Sequence, residues 1–184
     1  MMKGFTLIET LVAISILAIT MVAPFYAVEQ SITAADASRD ELIGSFLAQE
    51  GVEYVRGIRD DNYLYLRANP TSMRSWLYGV DGTTSNGVPS PNCFSPYVCT
   101  VDPTTSSSNQ VQSYGSNATL PVLYLNTSYL YNQQNSGTAT AFTRSVKLTT
   151  ISSTEVKVVV TVSWTTRNIP YVTTITEYFD NWQT

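Results

Sequence analysis

Three patterns of apolar and polar positions divide the chain. From Phe5 to Ala23 the apolar run carries a single charge, Glu9, and a helix of about 20 such residues crosses a hydrocarbon core of roughly 30 Å. From Val28 onward apolar positions recur at three- and four-residue steps, through Ile32, Ala35, Leu42, Ile43, Phe46, Leu47, Tyr54, Val55 and Ile58, with Glu29, Asp36, Asp40, Glu41 and Glu53 between them. That is an amphipathic helix with one face to bury. Near the other end Phe142, Val146 and Leu148 alternate with Thr143, Ser145, Lys147 and Thr149, and Val156, Val158, Val160, Val162 and Trp164 alternate with Lys157, Thr161, Ser163 and Thr165. Period two is the mark of a half-buried strand. Ser152-Ser153-Thr154-Glu155 joins these two runs, and Arg167-Asn168-Ile169-Pro170 leads to a third from Tyr171 to Phe179. The expected fold is therefore α+β, a long N-terminal helix whose outer half packs on a small antiparallel sheet of three to four strands, Leu120 to Asn126 supplying the fourth.

Punctuation refines this picture. Pro24 lacks an N–H and clashes with the preceding turn, so it is expected to kink or locally melt the helix. Gly44, Gly51 and Gly57 each cost up to about 1 kcal/mol against alanine inside a helix, a loss that close packing would explain. Asp60-Asp61-Asn62 is read as the helix end; its spacing does not match an alternating acidic calcium loop. Asn69-Pro70 is read as the cap and first turn of a short helix through Tyr78, closed by Gly79, with Trp76 and Leu77 tucked down. From Asp81 to Asn117 the chain is rich in Ser, Thr, Asn, Gly and Pro and reads as loop. The two cysteines, Cys93 and Cys99, lie inside that stretch.

Charge decides the topology. Lys3 precedes the apolar run and no lysine or arginine follows before Arg39, which by the charge bias places the N-terminus in the cytoplasm and exports the rest. In an exported domain an even cysteine pair is most simply a disulfide. A cleaved signal peptide would need a small-x-small site after the run. Met21-Val22-Ala23 and Phe25-Tyr26-Ala27 are too bulky at the first position, Pro24 obstructs, and Ala35-Asp36-Ala37 lies too far downstream. A plain uncleaved anchor would have no use for Glu9, because an acidic residue deep in a bilayer costs roughly 2.5 to 3.5 kcal/mol on insertion scales.

Gly4-Phe5-Thr6-Leu7-Ile8-Glu9, opening a membrane-length helix, resembles the N-terminus of type IV pilins and of the pseudopilins of type II secretion and competence systems. The resemblance covers the first quarter of the chain directly and the head in general design. It implies a pilin-like fold, a leader of Met1 to Gly4, cleavage by a prepilin peptidase between Gly4 and Phe5, and methylation of the new Phe5 amine. It also implies that Glu9 serves assembly by meeting the N-terminal amine of a neighbouring subunit. The segment Leu47 to Arg56 with Ile58 to Asn62 looks like the corresponding helix of minor pilins and pseudopilins. Partners implied are other pilin or pseudopilin subunits, the peptidase, an inner-membrane assembly platform and membrane lipid. The implied place is the inner membrane, N-terminus in the cytoplasm and head exported, then the pilus or pseudopilus. The expected organisation is a leader at 1–4, a transmembrane or filament-core helix at 5–28, an amphipathic helix at 29–61, a loop-rich region with a short helix and the Cys93–Cys99 loop at 62–138, and a β-meander at 139–184.

Composition excludes other classes. Ten basic and fourteen acidic residues give a net charge of −4 with no histidine, which is no nucleic-acid footprint. Neither a thiol–base arrangement nor metal-ligand spacing is present, so no enzyme, cofactor or catalytic residue is expected. Two functions remain, a structural filament subunit, major or minor, and a pilus-tip or surface binding module whose loop 81–118 contacts a surface, a secretion substrate or DNA.

Overall fold

A computed structural model describes Gly4, 6–105 and 110–182. The chain forms two compact units, Met1–Asp40 and Glu41–Thr184. One helix, α1 (Leu7–Ala68), contributes to both. In the first unit its side chains from Leu7 to Ser31 are exposed wherever they are described. The helix is assigned without a break through Pro24, so the expected local melting does not occur; the proline removes one N–H from the ladder and the neighbouring turns hold.

Asp60-Asp61-Asn62 does not end the helix, contrary to the sequence reading. Asn62 is buried, and its amide donates to Trp76 O at 3.3 Å and Tyr78 O at 2.8 Å, tying the following segment to the helix flank. The true end is Asn69-Pro70. The Asn69 N–H donates to Tyr65 O at 2.9 Å and Leu66 O at 3.2 Å, and its side-chain amide to Tyr65 O at 2.9 Å. These bonds cap carbonyls that the helix leaves orphaned, and Pro70 cannot continue it. No short helix follows; 70–80 forms turns, closed by bonds such as Tyr78 N–H to Ser75 O and Val80 N–H to Leu77 O, both 3.1 Å. Leu77 is buried and Trp76 packs on the core, as the sequence suggested.

The strands, in chain order, are β1 (Thr84–Ser85), β2 (Val88–Pro89), β3 (Val98–Val101), β4 (Val111–Tyr114), β5 (Tyr124–Leu125), β6 (Tyr131–Asn132), β7 (Thr138–Ala139), β8 (Thr143–Thr150), β9 (Glu155–Thr166) and β10 (Ile169–Asp180). The main sheet has five strands in the order β10-β9-β8-β3-β4, all antiparallel. Its meander β8-β9-β10 is the one the period-two runs predicted. Arg167 and Asn168, both at positive φ (51° and 64°), form the two-residue turn between β9 and β10, a backbone twist that suits a tight hairpin. Two further strands, β3 and β4, come from the stretch read as loop. The segment expected to add a fourth strand, Leu120–Asn126, instead supplies β5 to a separate three-stranded sheet of order β6-β5-β7.

Cys93 and Cys99 are joined in a disulfide and both are fully buried. The bridge fastens β3 to the preceding segment, whose Cys93 N–H donates to Val80 O and whose Cys93 O accepts from Leu148 N–H, each at 2.8 Å. In the chain-entropy account so short a ring contributes roughly 2.4 kcal/mol.

The core lies between the second half of α1 and the main sheet. Leu47, Ala48, Val52 and Val55 of the helix meet Val146, Leu148, Val158, Val160, Val162 and Trp164 of the sheet, all buried. Each large apolar side chain so buried stabilises by about 1.5–3 kcal/mol. Two helix glycines allow the approach. A Cβ built on Gly44 would stand 2.6 Å from Cζ3 of Trp164, and one on Gly51 would stand 2.8 Å from Cγ1 of Val160. Gly57 is different, exposed and with no atom within 4 Å of such a Cβ. Gly51→Leu should therefore overpack the seam and destabilise the head by about 1–3 kcal/mol, whereas Gly57→Ala should stabilise it by about 0.5–1 kcal/mol. Urea unfolding of the detergent-solubilised chain, followed by tryptophan fluorescence, measures both changes.

Candidate functional site: the N-terminal segment and the head cleft

The helix begins on a local cap. Thr6 O accepts from the Glu9 N–H at 3.1 Å and from the Thr10 N–H at 3.2 Å, and Thr6 Oγ1 accepts from the Glu9 N–H at 3.3 Å. Thr6 is thus the N-cap and Glu9 the third helical residue, the spacing of a capping box. The sequence reading overlooked this second use of Thr6 and Glu9, although a threonine three residues ahead of a glutamate announces it. A carboxylate there also faces the positive end of the helix dipole. Gly4 is exposed; Lys3 and Phe5, the basic leader residue and the expected cleavage and methylation position, lie outside the described residues.

Along the following turns the exposed side chains are apolar. Leu7, Ile8, Leu11, Val12, Ile14, Ile16, Leu17, Ile19, Met21, Val22, Phe25 and Tyr26 are all more than half exposed, and an 18-residue window of this helix has a mean hydropathy of 2.3 with none of it buried. The threonine and serine hydroxyls within it are bonded to the helix backbone. Thr10 donates to Leu7 O at 2.8 Å, Ser15 to Leu11 O at 2.8 Å and Thr20 to Leu17 O at 2.9 Å. Such back-bonding satisfies a hydroxyl within its own helix. Among the described residues from Leu7 to Val22, the carboxylate of Glu9 is the one polar side-chain group without a hydrogen bond or ion pair; the Tyr26 hydroxyl follows one turn later. Chemically the segment is a hydrocarbon-compatible rod with one charge to neutralise.

The head contributes a cleft of about 290 Å³ lined by residues distant in sequence, among them Tyr54, Asp61, Asn62, Arg74, Tyr78 and Gln110. Tyr54 Oη donates to Gln110 Oε1 at 3.2 Å. Burial, then the negative charge of Asp102, push the Tyr54 phenol up to about 12, so it remains a neutral donor. Asp60 is engaged by Arg59 at 2.9 Å, while Asp61 faces the cleft; among the described residues no group of three or more His, Cys, Asp or Glu gathers as a metal site would.

Residues 1–23 match the family model described as the prokaryotic N-terminal methylation motif. The chain carries the class III signal peptide of type IV pilins and pseudopilins. No curated protein and no solved structure matches it. A long N-terminal helix packed on antiparallel sheet fits the pilin-like fold, and the motif with its apolar helix fits a secreted subunit anchored in the inner membrane and then assembled. The motif implies processing by a prepilin peptidase and interaction with pilin subunits.

Asp102 follows β3 directly in the head. It is buried and accepts from the Thr104 hydroxyl at 2.6 Å, the Gln133 N–H at 2.9 Å, the Thr104 N–H at 3.0 Å and the Gln134 amide at 3.4 Å. Burial alone would raise its pKa, but these bonds outweigh it and hold the carboxyl below the ordinary 3.8. A depressed folded value means that Asp102 contributes stability above 3.8 and loses it as pH falls through the lower folded value. Asp102→Asn should cost about 1–3 kcal/mol at neutral pH by leaving buried donors unmatched. The gap between variant and parent should narrow on acidification below the ordinary carboxylate range, which urea denaturation at neutral pH and at about pH 3 would reveal.

Proposed function

We propose that the chain is a structural subunit, of the minor kind, of a type IV pilus or a related pseudopilus, and that it acts by polymerising through its apolar helix. The observation that carries this reading is a methylation motif set on a helix whose exposed surface from Leu7 to Val22 is apolar, with Glu9 as its one charge. Residues 1–4 act as leader and are cut away in the cytoplasm between Gly4 and Phe5, and Phe5 is methylated. The segment 5–28 then holds the protein in the inner membrane with its head outside until an assembly platform lifts it out of the lipid. No catalytic group, metal or cofactor is needed for this work. The resemblance of Leu47 to Asn62 to minor subunits supports the minor role.

Glu9 sets the order of events. In lipid an unpaired carboxylate costs roughly 2.5 to 3.5 kcal/mol, which protonation or the chain's own amine can lower. In the filament it meets the Phe5 amine of a neighbour where water is excluded, so each added subunit neutralises a buried charge and fixes the axial register.

In cells carrying the peptidase, N-terminal mass spectrometry should find a mature chain beginning at a methylated Phe5; a start near Val28 or Ser38 would restore an ordinary signal peptide. Glu9→Gln should still be cleaved, membrane-bound and folded in its head, yet enter sheared filaments poorly at matched membrane levels. Equal incorporation of variant and parent would remove Glu9 from assembly.

A further inference from the structure

We propose that the head cleft is a binding site for a neutral saccharide unit. The inference goes beyond filament assembly and does not depend on it. Its strongest support is Asn62, only 1% exposed. Both donor bonds of its amide go to backbone carbonyls, at Trp76 and Tyr78, which fixes the amide and directs its oxygen away from them. That Oδ1 is buried without a hydrogen-bond partner in the lining of the cleft. An orphaned buried acceptor is costly, and a donor on a bound molecule would satisfy it.

The other polar groups narrow the ligand. Asp61 and Arg74 both line the cleft, and neither takes part in an ion pair among the described residues. The Arg74 guanidinium is held between the rings of Tyr65 and Tyr78, 4.5 Å from each centroid, with Nε buried and unpartnered. Such a clamp keeps the cation in place while leaving donors unused. An anion would suit Arg74 but would face the Asp61 carboxylate and the Asn62 oxygen. A lysine side chain would suit Asp61 and Asn62 but would lie beside Arg74. A neutral molecule whose groups both donate and accept satisfies all three, and hydroxyls do this.

Size and wall chemistry agree. Small-molecule sites have mostly apolar walls with a few placed polar groups and begin at about 300 Å³; here about 290 Å³ is walled by Tyr54, Tyr78, Pro89 and Pro91 as well as the polar set. Aromatic and proline surfaces accept the C–H face of a pyranose ring, and its hydroxyl rim reaches Asn62, Asp61 and Arg74.

The test uses the full-length chain in a detergent without a sugar headgroup, with saturation-transfer NMR against neutral methyl pyranosides, the matching uronic acid, the matching amino sugar and a lysine-containing peptide. At least one neutral glycoside should bind saturably with a dissociation constant on the order of 1 mM. Asp61→Asn and Arg74→Gln should each weaken it about tenfold, while the exposed Asp180→Asn leaves it unchanged. Competition by the free glycoside against an immobilised glycan ending in the same sugar then separates a free sugar from a glycan end as the source. The proposal is overturned if no neutral glycoside saturates, water alone then occupying the cleft. Stronger binding of the uronic acid, the amino sugar or the peptide also overturns it, as does binding that both cleft variants leave intact.

Discussion

The head depends on how closely the second half of α1 can approach the sheet, and one buried cation sits in that seam. Arg144 of β8 is fully buried; its guanidinium donates to Leu47 O at 3.1 Å on the helix, to Val101 O at 2.7 Å on β3, and to the carboxylate of Glu50. A charge taken out of water is tolerated only when it is paired and hydrogen-bonded. These three acceptors come from two elements that must already be in place, so the arginine fits only one mutual position of helix and sheet. Gly44 and Gly51 set the separation at which that position becomes available, since a side chain at either would strike Trp164 or Val160. Packing at this seam and satisfaction of Arg144 are thus one constraint seen from two sides.

The same helix does different work along its length because its surface changes character. Up to Tyr26 the apolar positions point all round, which no single protein face can cover. From Leu47 to Ile58 they gather on one side, where Leu47, Ala48, Val52 and Val55 are buried. The period-based face drawn through Val28, Ile32, Leu42, Ile43, Phe46 and Leu47 merges two stripes. Leu47 meets the sheet, whereas Val28, Ile32, Leu42 and Phe46 remain more than half exposed. Exposed apolar side chains in such number mark a surface that something outside the chain covers.

Much of this was legible where the determining contacts are local or periodic. The parity of β8 and β9 and the N-terminal motif each follow from spacing within a few residues, and the disulfide from there being a single pair of cysteines. β3 and β4 were not legible. At four residues each and with Cys, Thr, Gln and Ser among few apolar positions, they have too little alternation to stand above loop, and they are strands because β8 and the bridge hold them. Asn69-Pro70 was read backwards, since a cap residue followed by proline can open a helix or close one. The helix resolved this in favour of closing by continuing past Asn62, whose side chain is bonded to Trp76 and Tyr78. Arg144 left a readable trace, an arginine at the inward parity of a strand, but naming Glu50 as its partner required the fold. The head cleft could not be read at all, because its walls come from α1, the turns at 74–79, the β2 segment and Gln110.

A common rule of polar satisfaction runs through both units. From Leu7 to Val22 the hydroxyls of Thr10, Ser15 and Thr20 are satisfied by their own helix, which leaves Glu9 as the one side chain there without a polar partner. In the head the carboxylate of Asp102 takes four hydrogen bonds from within and both terminal nitrogens of Arg144 are engaged, and these two groups hold the structure together. Where a buried group is left incomplete, as at Asn62 Oδ1 and Arg74 Nε, the rest of the molecule offers nothing to complete it. Buried polar atoms without a partner also occur away from the cleft, at Thr100, Gln133, Arg144 and Trp164, so it is the open volume beside Asn62 and Arg74 that sets these two apart. On that ground the proposed roles rest on two different kinds of unmet group, a carboxylate on an exposed apolar helix surface and a buried amide oxygen beside an open cleft.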